Sequence, residues 1–293
     1  MHASTPVTRH DPFVSHCPVG CDAPLKTAAV TLAEGPLRRC TACGQLLSSA
    51  SAARYHDTMA QFDASDFNTP QGAALQRRLN VATRRLDRIR ELLDQPTDKP
   101  RLLDVGCSRG QFVLAATLAG FAAEGVEPAP RIAAAARDSG LTVHTGLLED
   151  VCFPASTFDA VTLFEVVEHL REPLPLLKEC HRILRPGGIL VISTGNAASW
   201  TAACMAARWD YFDMSKDGGH ISFFNPGSLS LLAQRAGFDT QRVETARVKF
   251  HEKGDTGTGV YLAGKLLAEA LNQPARWFNR GHDMLGYFSK PSG

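Results

Sequence analysis

Arg101-Leu-Leu-Asp-Val-Gly-Cys-Ser-Arg-Gly-Gln-Phe112 is the stretch whose reading decides the fold. Leu102, Leu103 and Val105 form a short apolar run of the kind required by a parallel strand buried on both faces. The run breaks at Gly106 and Gly110, and Phe112 to Leu118 continues apolar and alanine-rich, which predicts a helix. Strand, glycine turn and helix make the first unit of an open α/β sheet. Such a sheet holds its ligand at the carboxyl ends of the strands, where strand order reverses. Glycine suits the turn because a closely approaching ligand leaves no room for a Cβ. Seventeen positions after Gly110, Glu127 closes a second apolar run, Phe121 to Val126. An acid about 20 positions on is placed to accept hydrogen bonds from the two ribose hydroxyls of a nucleoside.

The turn reads Asp104-x-Gly106-x-Ser108-x-Gly110 and not the G-x-G-x-x-G that aims a helix N-terminus at a pyrophosphate. Asp104, just before the turn, is a poor neighbour for phosphate and a good one for a cation. Further along, Leu141 to His144, Phe158 to Phe164 and Ile189 to Ser193 read as strands. Pro173 to Leu184 reads as a helix that ends at Arg185-Pro-Gly-Gly188. In these motifs, over roughly residues 100 to 240, the chain resembles the class I S-adenosylmethionine-dependent methyltransferases of the type 11, 12 and 23 kind. Ser108 stands where that family more often has glycine. The resemblance implies an α/β, three-layer Rossmann-like fold with a seven-stranded mixed sheet. It also implies a ligand with a sulfonium, an amino acid and an adenosine but no phosphate. It places Asp104 at the methionine ammonium, Gly106, Cys107, Ser108 and Gly110 along the ligand, and Glu127 at the ribose. Adenine falls to the backbone at Leu147 or Leu148 and to Glu149, with Phe164 bordering the site.

The chemistry is expected just past the fourth strand, at Glu165-Val-Val-Glu168-His169-Leu170, since residues at a strand end point into the crevice. Methyl transfer from a sulfonium is an in-line displacement that needs the acceptor about 3 Å behind the methyl carbon and its proton removed. His169 is the first candidate base and His220 the second, with Glu165 beside them. Taken together, Glu165, Glu168, His169 and His220 could hold a divalent ion, magnesium or manganese, that binds vicinal hydroxyls and acidifies one. E-x-x-E-H with a distant histidine is similar to the metal site of the small-RNA 2′-O-methyltransferases and of the ubiquinone-pathway O-methyltransferases. Against this stands a purely structural use of the same residues, which orient the loop in many family members.

Upstream, residues 1–55 carry Cys17-x3-Cys21 and Cys40-x2-Cys43, a four-thiolate set for one structural zinc in a small ribbon, with His16 as a substitute ligand. So small a segment cannot hold itself together by burial alone. Residues 56–99 connect it to the domain. Ala53 to Thr69 is polar with scattered aromatics, Tyr55, Phe62 and Phe67. Gln71 to Leu93 reads as a helix with an apolar face and a basic one, Arg77, Arg78, Arg84, Arg85, Arg88 and Arg90. The basic face is either solvated or a dock for an acidic substrate.

Residues 100–293 form the catalytic domain, with an aromatic-rich insertion at 196–224 that reads as a substrate lid: Trp200, Trp209, Tyr211, Phe212, Phe223 and Phe224. The alternative is that half of these rings simply pack the lid onto the domain. A helix from Asn225-Pro226 to Gly237, a strand over Phe238 to Val248, a helix over Tyr261 to Leu271 and a last antiparallel strand over Met284 to Ser289 complete the domain.

With 293 residues, 44% hydrophobic, 21% charged and a formal charge of +1, the chain suits a two-part globular protein and gives no general reason to expect nucleic acid or an anionic membrane as partner. No apolar run is long enough to span a bilayer and the N-terminus is not that of a signal peptide, so the cytoplasm is the expected compartment. The eight cysteines are then thiols and metal ligands. The expected activity is O-methylation of a small metabolite or saccharide; an RNA 2′-O-methyltransferase, a C- or N-methyltransferase and a non-catalytic cofactor fold are the alternatives.

Overall fold

The computed structural model describes residues 11–64, 72–94, 97–215, 219–251 and 257–292, with the side chains of 62–64 left aside. Phe67, Gln71, Gly218 and the Phe62 ring therefore lie outside the described residues. In chain order the elements are β1 (Leu25–Leu32), β2 (Gly35–Cys40), β3 (Leu46–Leu47), α1 (Ala52–Ala64), α2 (Gly72–Leu92), β4 (Arg101–Val105), α3 (Gln111–Leu118), β5 (Ala122–Glu127), α4 (Pro130–Asp138), β6 (Val143–Thr145), α5 (Leu148–Val151), β7 (Phe158–Phe164), α6 (Pro173–Ile183), β8 (Leu184–Gly195), α7 (Trp200–Met205), β9 (Ser222–Phe223), α8 (Pro226–Arg235), β10 (Asp239–Ala246), α9 (Thr258–Trp277) and β11 (Asp283–Ser289).

Seven strands form one mixed sheet in the order β10-β11-β8-β7-β4-β5-β6. β4 pairs in parallel with β5 on one side and β7 on the other, so strand order reverses there. β11 alone of these neighbours runs antiparallel to both β8 and β10. Successive residues of β4 face opposite layers. Leu102 packs with Leu86 and Ile89 of α2 and Ala116 of α3. Leu103 and Val105 pack with Leu177 of α6 and Leu232 of α8. This alternation makes the quoted stretch continuously apolar except at Asp104.

Three expectations are corrected. Arg185-Pro-Gly-Gly188 does not separate helix from strand but runs inside β8. Phe158 of β7 pairs with Leu184, and the register then slips so that Ala160 meets Ile189. The slip is anchored by an Arg185–Asp159 ion pair at 2.6 Å and by Gly187, whose φ of +74° a side chain tolerates poorly. α9 is longer than its apolar spacing indicates and continues through Pro274 to Trp277.

The third correction concerns the ribbon and the insertion, which share a four-stranded sheet, β1-β2-β3-β9. Leu37 and Leu46 from the first pack with Met205, Trp209, Phe212 and Phe223 from the second. Phe224 lies in the main core. Most of the aromatic rings read as a lid are thus core. Among the described residues no helix is long and apolar enough to cross a membrane.

Phe223 is 2% exposed at this joint. Phe223→Ala is expected to cost about 3–5 kcal/mol in urea unfolding; a loss below about 1 kcal/mol would show that the shared sheet is peripheral.

Candidate functional site

The crevice is built where β4, β5 and β7 end. Gly106 and Gly110 have φ of +72° and +74°, the left-handed turn that glycine takes without strain. The space each saves is taken by the protein itself. A Cβ at Gly106 would come 2.7 Å from Val166 Cγ2, and one at Gly110 would come 2.4 Å from Leu141 Cδ1. The Cys107 side chain points away from the crevice into a small cluster with Val113, Ala133 and Val143. Ser108, at φ +49°, donates its backbone N–H to Glu127 Oε2 at 2.8 Å. Ala129 N–H donates to Glu127 Oε1 at 2.9 Å. Glu127 is 7% exposed and held by both oxygens.

Asp104, 3% exposed, accepts the Thr162 hydroxyl at 2.6 Å. Burial pushes its carboxyl up to about 7; the Thr162 bond opposes this and the nearby Glu127 charge adds to it. By chemistry, two carboxyl groups so placed suit a cation and a hydroxyl-bearing group. Leu148 buries its side chain in the main core, so only its backbone can face a ligand, whereas Leu147 and Glu149 are exposed.

A residue missed by sequence reasoning is Arg85. Its guanidinium lies over the Phe164 ring, 4.7 Å from the centroid, and its charge acts on Asp104. A helical pattern groups it with its solvated neighbours, and only the packing of α2 turns it inward. Arg90 also packs inward, over Phe121 and onto Ala119 O at 2.7 Å. The arginines of α2 therefore form no continuous basic strip. Arg77, Arg78 and Arg85 instead line a cleft of about 640 Å³ with Leu79, Phe112 and Phe164.

Just past β7, a 3-10 turn over Val167–His169 presents Glu168 and His169. One ligand atom each of Glu168, His169 and His220 lies within 4.8 Å of the others. Glu165 is not among them. It turns aside to accept the Ser193 hydroxyl at 2.7 Å and the Tyr211 hydroxyl. Glu168 is fully buried, and neither carboxylate oxygen has a hydrogen-bond partner of standard geometry among the described residues. Burial, then the nearby Glu165, raises its pKa well above the usual carboxyl range, and looser contacts with its own backbone and with the Thr194 hydroxyl only partly oppose this. So costly an arrangement is explained if a cation belongs there. His220 Nδ1 lies 3.1 Å from the Tyr211 carbonyl, which can only accept, so the proton sits on Nδ1 and the Nε2 lone pair is free for a ligand. Burial lowers its pKa to about 4. His220 is thus buried as the neutral imidazole, the form that can ligate a metal.

At the other end of the ribbon, the ligand atoms of Cys17, Cys21, Cys40 and Cys43 also lie within 4.8 Å of one another. Cys17 Sγ and Cys43 Sγ are 3.6 Å apart, near the edge of about 3.8 Å of a tetrahedron with 2.3 Å bonds. Arg235 Nη1 stands 3.7 Å from Cys21 Sγ and bonds Val19 O at 2.6 Å, which suits a negatively charged thiolate cluster. His16 is exposed and outside the set.

A family model described as "Methyltransferase domain" matches residues 74–243. A ubiquinone biosynthesis O-methyltransferase of Cereibacter sphaeroides is 36% identical over 149 residues, 47% of this chain and 60% of the relative. One of Dinoroseobacter shibae is 34% identical over 206 residues, 65% of this chain and 79% of the relative. The chain thus spans about 60% of the length of the first of these. A crystal structure of a SAM-dependent methyltransferase from Archaeoglobus fulgidus aligns with TM-score 0.51 at 20% identity, over 72% of this chain and 94% of that one, a likeness of fold.

The Asp104 carboxyl gives a pH test. Its pKa is about 7 in the fold, against 3.8 for the ordinary group. The folded state therefore holds the proton more tightly, and stability falls as pH rises from about 4 to 7. The full effect is on the order of 4 kcal/mol. Asp104→Asn removes it, so in urea unfolding the variant is expected to gain on the wild type between about pH 5 and pH 8. The same difference at both pH values would contradict the burial argument.

Proposed function

The chain belongs to the class I S-adenosylmethionine-dependent methyltransferases, and we propose that it methylates a hydroxyl of a small molecule at a divalent centre formed by Glu168, His169 and His220. The observation that carries this reading is the buried Glu168 carboxylate, without a hydrogen-bond partner of standard geometry among the described residues, facing two imidazoles beside the cofactor crevice. S-adenosylmethionine supplies, when bound, a methyl group on a sulfonium. Asp104 faces its ammonium, Glu127 accepts from its ribose hydroxyls, Arg85 pairs with its carboxylate, and the backbone at Leu147 and Leu148 borders its adenine. These roles fit a site of two buried carboxyl groups.

Glu168, His169 and His220 would hold magnesium or manganese, which would supply Lewis acidity toward an acceptor hydroxyl. Glu165, tied to Ser193 and Tyr211, orients the wall beside them. The cleft between α2 and α3, with apolar walls and arginines at its rim, suits a compact acceptor, an aromatic or saccharide carrying an acidic group. Similarity to O-methyltransferases of ubiquinone biosynthesis supports the hydroxyl as acceptor.

We further propose one structural zinc on Cys17, Cys21, Cys40 and Cys43, a closed set with no open position for catalysis. Four close thiols that stay reduced suit the cytoplasm. Elemental analysis of purified protein is expected to give one zinc per chain; none would remove the zinc.

Activity tests the main reading. S-adenosylhomocysteine is expected to accumulate with S-adenosylmethionine and a panel of catechols and vicinal diols, to stop in chelator, and to resume with magnesium or manganese. Unchanged turnover in chelator would rule out the divalent centre.

A further inference from the structure

The three residues of the proposed centre come from two loops, Val167–His169 after β7 and Gly219–His220 before β9. The N-terminal segment grips both through their backbones. β3 pairs with β9, Leu46 opposite Phe223 and Leu47 opposite Ser222. Ser48 N–H donates to Ile221 O at 3.0 Å, and Ile221 N–H donates to Glu168 O at 3.0 Å. The β3 edge is thereby linked through one residue to the loop that carries Glu168.

Tyr55 of α1 closes the circuit. Its hydroxyl donates to the His169 carbonyl at 2.9 Å. Its ring lies against Gly219, where a Cβ would come 3.4 Å from Tyr55 Cδ2, and φ there is +78°. Phe13 stacks on Tyr55 at 4.8 Å between centroids and 24° between planes. The guanidinium of Arg171, two residues past His169, sits over the Phe13 ring at 5.6 Å. One side chain from outside the α/β domain thus contacts both loops that bring ligands to the centre.

We propose that Tyr55 is a positioning residue of the divalent centre, and that through Tyr55 and β3 the cysteine-rich segment sets where His169 and His220 stand. The inference rests on the reading of Glu168, His169 and His220 as a metal site. Ligand spacing depends on where the backbone holds each residue, and groups behind the ligands are part of a metal site's affinity. Tyr55 acts on the backbone of one ligand and on the chain next to another. A segment that forms a separate cysteine site is in this way part of the scaffold of the centre.

Tyr55→Phe in the full chain separates this role from packing, because the ring stays against Phe13 and Gly219 and only the hydroxyl is lost. Manganese binding is measured by electron paramagnetic resonance. S-adenosylhomocysteine affinity by calorimetry and the zinc-to-protein ratio serve as controls. The expected result is manganese binding weakened about tenfold, with both controls unchanged. Manganese affinity equal to wild type would overturn the proposal and leave the centre standing. Failure of the wild type to take up manganese would overturn the centre and this role with it. If Tyr55→Phe does not fold, Phe13→Leu decides: it keeps the hydroxyl and loosens its support. Weakened manganese binding at full zinc content supports the role, and unchanged binding overturns it.

Discussion

Two carboxylates kept almost dry at the ends of neighbouring strands are the constraint on which the rest of the structure depends. Asp104 and Glu127 sit where β4 and β5 leave the sheet, and each is buried beyond nine-tenths. Neither can stay charged there without help. Glu127 is held by two backbone N–H groups of the turns around it. Asp104 has one hydroxyl, from the neighbouring strand, and its proton affinity rises accordingly. The glycine turn, the parallel pairing of β4 with β5 and β7, and the inward tilt of Arg85 all position these two groups. In the proposed reading, a cationic ligand would relieve the cost of Asp104, and Glu127 would accept from hydroxyls. A phosphate would meet like charge.

The same economy recurs at Glu168. A fully buried carboxylate without a standard hydrogen bond among the described residues is expensive unless a cation is its intended partner. The tautomer of His220, set by the Tyr211 carbonyl, leaves Nε2 unprotonated. His220 is therefore better suited to coordinate than to remove a proton. In the proposed reading, acidification of the acceptor hydroxyl takes the place of a histidine base.

Much of this was legible in residue order. The apolar runs of β4, β5, β7 and β8, the glycine turn, Glu127 and the four cysteines each carry a local signal: a continuous apolar run, a left-handed φ, or residue spacing. Other features carry none. β3 and β9 are two residues long, so no periodicity marks them, and their pairing joins parts of the chain far apart in sequence. Arg85 differs from Arg84 only in the side of α2 it occupies once the helix has docked. Cys107 lies inside the motif yet faces Gly125 and the core, where a Cβ on Gly125 would meet its sulfur at 2.5 Å. Glu165 fits the spacing of a ligand, but Ser193 and Tyr211 draw it aside. The lid aromatics were visible as a group, but only the ribbon against which they pack makes them core.

The central claim concerns what the crevice retains, and titration calorimetry on the full chain tests it most directly. S-adenosylmethionine and S-adenosylhomocysteine are predicted to bind one per chain, and binding of either to be weakened roughly 10- to 100-fold by Glu127→Ala, the worth of hydrogen bonds to a charged acceptor. Tight binding of a nicotinamide dinucleotide or a nucleoside triphosphate in their place, or affinity indifferent to Glu127→Ala, would contradict the account.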